Sequence, residues 1–155
     1  MAKEAIVLLN MGGPNNLEEV EVFLTNMFND KNIITLNSSL LRSFIAKMIT
    51  FSRTEKAQEV YKQIGGKSPL VGHTKNLVYK LQERVGDDVV VDFAMRYTPP
   101  FSKEVIEKLN KEEVEKIYLI PLYPQYSTTT TKSSLEEFEE QYHMMGGDAI
   151  LVEIK

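Results

Sequence analysis

Ala5-Ile6-Val7-Leu8-Leu9-Asn10-Met11-Gly12-Gly13-Pro14 is the stretch that decides the fold. An apolar run from Ala5 to Leu9 ends at a Gly-Gly-Pro turn, which reads as a buried strand over residues 5–10 delivering the chain into a tight loop. Beyond it, Asn15 and Asn16 are available as caps, and Leu17, Val20, Phe23, Leu24, Met27 and Phe28 recur at helical spacing, predicting a helix over 17–28. Two further helices are expected over 40–49 and 54–64, the second closed by Gly65-Gly66.

The same punctuation continues to the end of the chain. A helix is expected over 70–85 and a second strand over 89–95. Ser102 is placed to cap a helix carrying Val105, Ile106 and Leu109 inward, with Glu104 in its first turn. A third strand over 116–122, a helix over 133–145 and a fourth strand over 148–154 complete the order. Strands alternating with helices imply an α/β fold: a four-stranded parallel sheet flanked by helices, joined by right-handed crossovers. No repeat or linker divides the 155 residues, so residues 1–155 are read as one domain. A chain of that length buries roughly 70% of the surface it exposes when unfolded. It stops directly after the fourth strand, which implies half of a longer protein.

Composition narrows the function classes. A net charge of −4 with scattered basic residues argues against nucleic acid as a partner. The absence of cysteine excludes disulfides and thiolate-ligated metal sites within this chain. No apolar run approaches the ~20 residues of a transmembrane helix, and MAKEA has no signal-peptide pattern, so a cytoplasmic location is expected.

In open parallel sheets ligands bind beyond the carboxyl ends of the strands. The loops expected there are 11–16, 96–101 and 121–131, joined by the 65–70 turn. Met11-Gly12-Gly13-Pro14 lets the backbone approach a ligand, or is simply a tight strand-to-helix turn. It matches neither a dinucleotide fingerprint nor a phosphate-binding P-loop. Gly65-Gly66-Lys67-Ser68-Pro69-Leu70 offers free amides, a hydroxyl and a lysine ahead of a helix amino terminus, as an anion site does, or as a plain helix stop and start does. The hydroxyl run Ser127–Thr131 suits caps or ligand contacts. Arg96 ends the second strand and could hold a ligand carboxylate or form an internal ion pair with Asp or Glu. His73 and His143 have no metal-ligand spacing, and Glu136-Glu137 with Glu139-Glu140 reads as a solvated helix face.

Four segments taken together carry a family resemblance: LLNMGGP (8–14), RTEKAQEVYKQIGGKSPL (53–70), MRY (95–97) and LYPQYSTTTTKSS (122–134). In that order and approximate spacing they resemble the amino-terminal half of ferrochelatase, the lyase that inserts ferrous iron into protoporphyrin IX in heme biosynthesis. The resemblance implies a Rossmann-like (chelatase-like) domain, one of two similar domains with the porphyrin cleft between them. It places Met11 over one porphyrin face, and Arg53, Tyr61 and Ser68 around the porphyrin, largely at its propionates. Arg96 and Tyr97 match a pair on the side from which the metal arrives, and Tyr123 and Ser127 line the pocket from the third strand. Arg53 and Tyr61 are eight residues apart, about 80° around the axis of a helix that carries both.

The same resemblance implies that the catalytic histidine and its acidic partner belong to the second domain, since neither His73 nor His143 matches that histidine. No iron–sulfur cluster is expected, because Thr128 stands where some relatives carry a cluster cysteine. Pro99 stands where some have histidine. Ferrous iron is then substrate, no cofactor resides in this chain, and the partner is the second half of the same protein. A coproporphyrin-using enzyme, a non-catalytic tetrapyrrole carrier and a generic phosphate binder are the competing readings.

Overall fold

The computed structural model describes residues 3–154. Four strands, β1 (Glu4–Asn10), β2 (Val89–Met95), β3 (Lys116–Pro121) and β4 (Ile150–Glu153), form one parallel sheet in the order β2-β1-β3-β4. Around it lie α1 (Glu19–Phe28), α2 (Ser39–Gln63), α3 (Leu70–Val85), α4 (Ser102–Lys111) and α5 (Ser133–Met144), the last preceded by a π-helical turn at Thr128–Lys132.

β1 is central, and its side chains divide between two cores because successive residues of a strand face opposite ways. Ala5, Val7 and Leu9 pack with Val105, Ile106 and Leu109 of α4 and Leu135, Phe138 and Tyr142 of α5. Ile6 and Leu8 pack on the other face with Val71, Val78 and Leu81 of α3. A third cluster, Val20, Phe23 and Leu24 of α1 with Tyr97, lies beyond the carboxyl ends of the strands, with Met11, Ala57 and Tyr61 against it.

Three expectations are corrected. The helices expected over 40–49 and 54–64 are one 25-residue helix, α2. The hydroxyl-rich step between them does not break it, because Ser52 and Thr54 donate back to the carbonyls of Ile49 and Thr50 at 2.9 and 2.8 Å. Ser102 is not a cap: it is the first residue of α4 and its hydroxyl donates to Glu137 at 2.6 Å. The opening turn is closed instead by the Glu104 carboxylate, which accepts from the Phe101 backbone N–H. The regular part of α1 begins at Glu19 rather than Leu17, where the Asn16 side chain accepts from the Glu19 N–H at 2.9 Å.

Gly12 sits at φ +86°, and a Cβ there would lie 2.3 Å from Thr98 Oγ1. We expect Gly12→Ala to lower stability by about 2 kcal/mol or more, combining left-handed strain with the clash. Gly72, on α3 with open space around it, is the contrast: Gly72→Ala should raise stability by up to about 1 kcal/mol. Urea denaturation of the two variants beside the parent checks both.

Candidate functional site

The loops leaving β1 and β2 do not part at the end of the sheet. The Arg96 N–H donates to Asn10 O at 2.8 Å and the Tyr97 N–H to Met11 O at 3.0 Å, so the ladder runs on past both strands. The Asn10 side chain accepts from the Met11 N–H at 2.8 Å, and Thr98 Oγ1 accepts from the Gly13 N–H at 3.0 Å. The 65–70 turn joins them where the Ser68 N–H donates to Pro14 O at 2.7 Å. Gly13 is required there, since a Cβ would lie 2.5 Å from the Ser68 side chain. Three of the loops singled out in the sequence are therefore one backbone assembly.

Against it stands a buried carboxylate. Asp30, 2% exposed, follows α1 and accepts from Tyr97 Oη at 2.6 Å and from the Ser133 hydroxyl at the start of α5. Its other oxygen accepts from the Asn32 backbone N–H at 2.8 Å. The Arg96 guanidinium lies 3.5 Å from the same carboxylate and donates from Nε to Ser133 Oγ at 3.0 Å. It also sits over the Tyr97 ring, 5.1 Å from its centre. Of the two roles open to Arg96, the structure shows the internal ion pair.

Burial opposes charge on Asp30, but the hydrogen bonds from Ser133, Tyr97 and Asn32, with Arg96 beside them, outweigh it and hold the carboxyl below its ordinary range. Burial and the bond to Asp30 push the Tyr97 hydroxyl well above its usual value. Tyr123, half-buried, shares a hydrogen bond with Ser134 Oγ at 2.8 Å, and burial raises its hydroxyl too. Glu137 is likewise raised, chiefly by burial, with Ser102 and Arg96 working in the opposite direction.

The remaining candidates are distributed as follows. Met11 and Tyr61 flank the α1 cluster that also contains Tyr97. Arg53 is exposed and lies over the Phe28 ring of that cluster at 5.6 Å, with no ion-pair partner among the described residues. The Ser68 hydroxyl accepts from the Leu70 N–H at 3.2 Å, so it serves as a helix start as well as part of the loop assembly. Ser127 bonds to Thr129 and Thr130 within its own turn, and no hydrogen bond among the described residues ties it to Arg96 or Tyr123. An apolar groove of about 660 Å³ between α1 and α2 is lined in part by Thr25, Phe44, Met48 and Phe51.

Asp30 and Ser133 went unmarked in the sequence. Asp30 sits in the polar stretch Asn29-Asp30-Lys31-Asn32 without periodicity, and no spacing signals that it turns inward. His73 and His143 are both exposed. Among the described residues no three His, Cys, Asp or Glu side chains converge to hold a metal, and no helix is long and apolar enough to cross a membrane.

The comparisons with known proteins agree with one another. The ferrochelatase family model matches residues 3–154. The curated ferrochelatase of Sulfurimonas denitrificans is 79% identical over the whole of this chain, which covers 49% of that protein. That of Nitratiruptor sp. is 60% identical over 93% of the chain and 45% of its own length. That of Wolinella succinogenes is 51% identical over 90% of the chain and 44% of its own length. The chain thus spans about half the length of the curated relatives it matches.

A carboxyl held below its ordinary value of 3.8 stabilises the fold above that pH and loses the contribution as pH falls through the folded value. Asp30→Asn should be about 2–4 kcal/mol less stable than the parent at pH 7, and the gap should close progressively below pH 3.8. Glu137, shifted the opposite way, is present in both proteins and largely cancels in the difference. Melting temperatures of the two proteins across pH 2–7 check this.

Proposed function

The chain belongs to the ferrochelatase family, and from that premise we propose that it is the porphyrin-binding half of an enzyme that inserts ferrous iron into protoporphyrin IX to form heme. The observation that carries the proposal is the meeting of the 11–16, 65–70 and 96–101 loops in one hydrogen-bonded assembly beyond the sheet. A flat macrocycle needs a wall that does not yield, and these loops are tied to each other through backbone atoms.

The two arginines divide the work. Arg96 already faces Asp30, so a propionate would have to compete with an internal carboxylate. Arg53 is exposed, supported from below by Phe28 and without an acidic partner among the described residues, which makes it the better propionate anchor. Tyr61, on the same helix, adds a half-buried ring edge. Met11 is held by its own backbone bonds to Asn10 and Tyr97, and its soft thioether is suited to press on one face of the macrocycle.

Insertion requires a base for the pyrrole protons and a site that bends the ring so its nitrogens meet the metal. This half supplies the wall and the anchor. The base is assigned to the second half, since His73 and His143 are exposed and neither matches the family's catalytic histidine.

The 155-residue chain alone is therefore expected to produce no heme from ferrous iron and protoporphyrin in an anaerobic fluorescence assay; turnover comparable to that of a full-length relative would overturn the assignment. Parallel titrations with protoporphyrin and coproporphyrin identify the preferred dicarboxylate or tetracarboxylate. In the full-length protein, Arg53→Ala should weaken porphyrin binding about 10- to 150-fold, as loss of one charge-assisted contact, with an unchanged melting temperature. Unchanged affinity would remove Arg53 from the site.

A further inference from the structure

The buried Asp30 carboxylate joins three segments far apart in sequence: the end of α1, the loop after β2 and the start of α5. A surface pair needs no such arrangement. Asp30 has four partners: the Tyr97 hydroxyl, the Ser133 hydroxyl, the Asn32 amide and the Arg96 guanidinium. Ser133 in turn accepts from Arg96 Nε at 3.0 Å, so the carboxylate acts on the arginine both directly and through the serine. Its neighbour Ser134 meets Tyr123 at 2.8 Å, and the Asn26 side chain donates to Tyr97 O at 3.0 Å.

Such a group can do two things. It can merely join α1 to α5, or it can select one orientation of side chains that would otherwise have several. The Arg96 side chain is partly open, 20% exposed, whereas that of Asp30 is fully covered. An arginine at the mouth of a cleft with no fixed partner would lose rotamer freedom on meeting a ligand. Here that ordering is already present.

We propose that Asp30 is a positioning residue of the porphyrin cleft: its carboxylate, gripped by the buried Tyr97 and by Ser133, fixes the partly open Arg96, which is not the propionate anchor, in the single arrangement that meets the macrocycle. This rests on the porphyrin reading above and extends it to a residue that touches no substrate. The acidic neighbours Glu136, Glu137 and Glu140 line the same small cavity as Asp30 and Arg96. A carboxylate is therefore not scarce there, and what singles out Asp30 is its complete burial and its bond to Tyr97.

The test uses Asp30→Asn in the full-length protein at 20 °C, with retention of fold checked by circular dichroism. Two quantities are read: the NMR signal of the Arg96 Nε–H, and the dissociation constant for protoporphyrin by fluorescence titration. The parent should show an ordered Arg96 signal. The variant should lose that signal, keep the backbone shifts of β1 and β3, and bind protoporphyrin about tenfold more weakly. A lowered melting temperature with both readouts unchanged would make Asp30 a purely structural residue and overturn the proposal; so would loss of the signal with unchanged affinity. If the parent itself binds no porphyrin, the porphyrin reading fails and this proposal falls with it, whereas a parent that binds and a variant that binds equally well overturn this proposal alone. Should Asp30→Asn not fold, Ser133→Ala and Tyr97→Phe each remove one donor while keeping the carboxylate, and the same two readouts apply with the same expected direction.

Discussion

Everything at the binding end of this domain depends on β1 being held from both sides and then continued. Its residues from Ala5 to Leu9 pair in register with β2 on one side and β3 on the other. Because both faces are dry, a shift of one residue would exchange Val7 and Leu8 between two differently shaped cores. That register sets Asn10 opposite Met95, the last residue of β2, and the two extra ladder bonds from Arg96 and Tyr97 to Asn10 and Met11 follow from it. The loops that carry the candidate site inherit the rigidity of the sheet, which is the condition for holding a flat ligand without a large ordering cost.

Where the sequence was readable, the reason was physical. Strands with an uninterrupted apolar run and helices with amphipathic spacing depend on local pattern, and β1, β2, α3 and α5 lie within a residue or two of their expected bounds. The break expected in α2 failed because polar residues alone do not end a helix. Thr50, Ser52 and Thr54 contribute hydroxyls that bond back to the turn before or pack inward, and neither Gly nor Pro follows until Gly65. The Asp30 network was unreadable for the opposite reason. It is made of residues more than a hundred positions apart in the extreme case, Asp30 with Ser133, and only the tertiary fold brings them together.

The site residues differ in how firmly local pattern implied them. Met11, Gly13 and Ser68 follow from turn chemistry and close approach, and the structure unites their loops. Arg53 and Tyr61 came from resemblance alone, yet Tyr61 packs against the α1 cluster, as Met11 does, and Arg53 lies over Phe28 of that cluster. Arg96 illustrates the limit of residue type as a guide. An arginine at a strand end suits an external carboxylate or an internal one equally well, and only the position of Asp30 decides between them.

On the proposed function, the division of labour between the two halves follows from charge. A site that binds a dicarboxylate and also removes protons from it must separate its cations from its base, or each would perturb the other. Of the two candidate arginines, Arg96 is paired with Asp30 and Arg53 is left exposed on α2. Tyr97 and Tyr123 are held protonated by burial. Neither tyrosine can accept a proton, and Asp30, kept ionised by its donors, is committed to Tyr97 and Ser133. On the proposed function, Tyr97, Tyr123 and Asp30 would take no proton from the pyrrole nitrogens while the wall orients the ring. This is the arrangement expected if proton removal takes place from the opposite face.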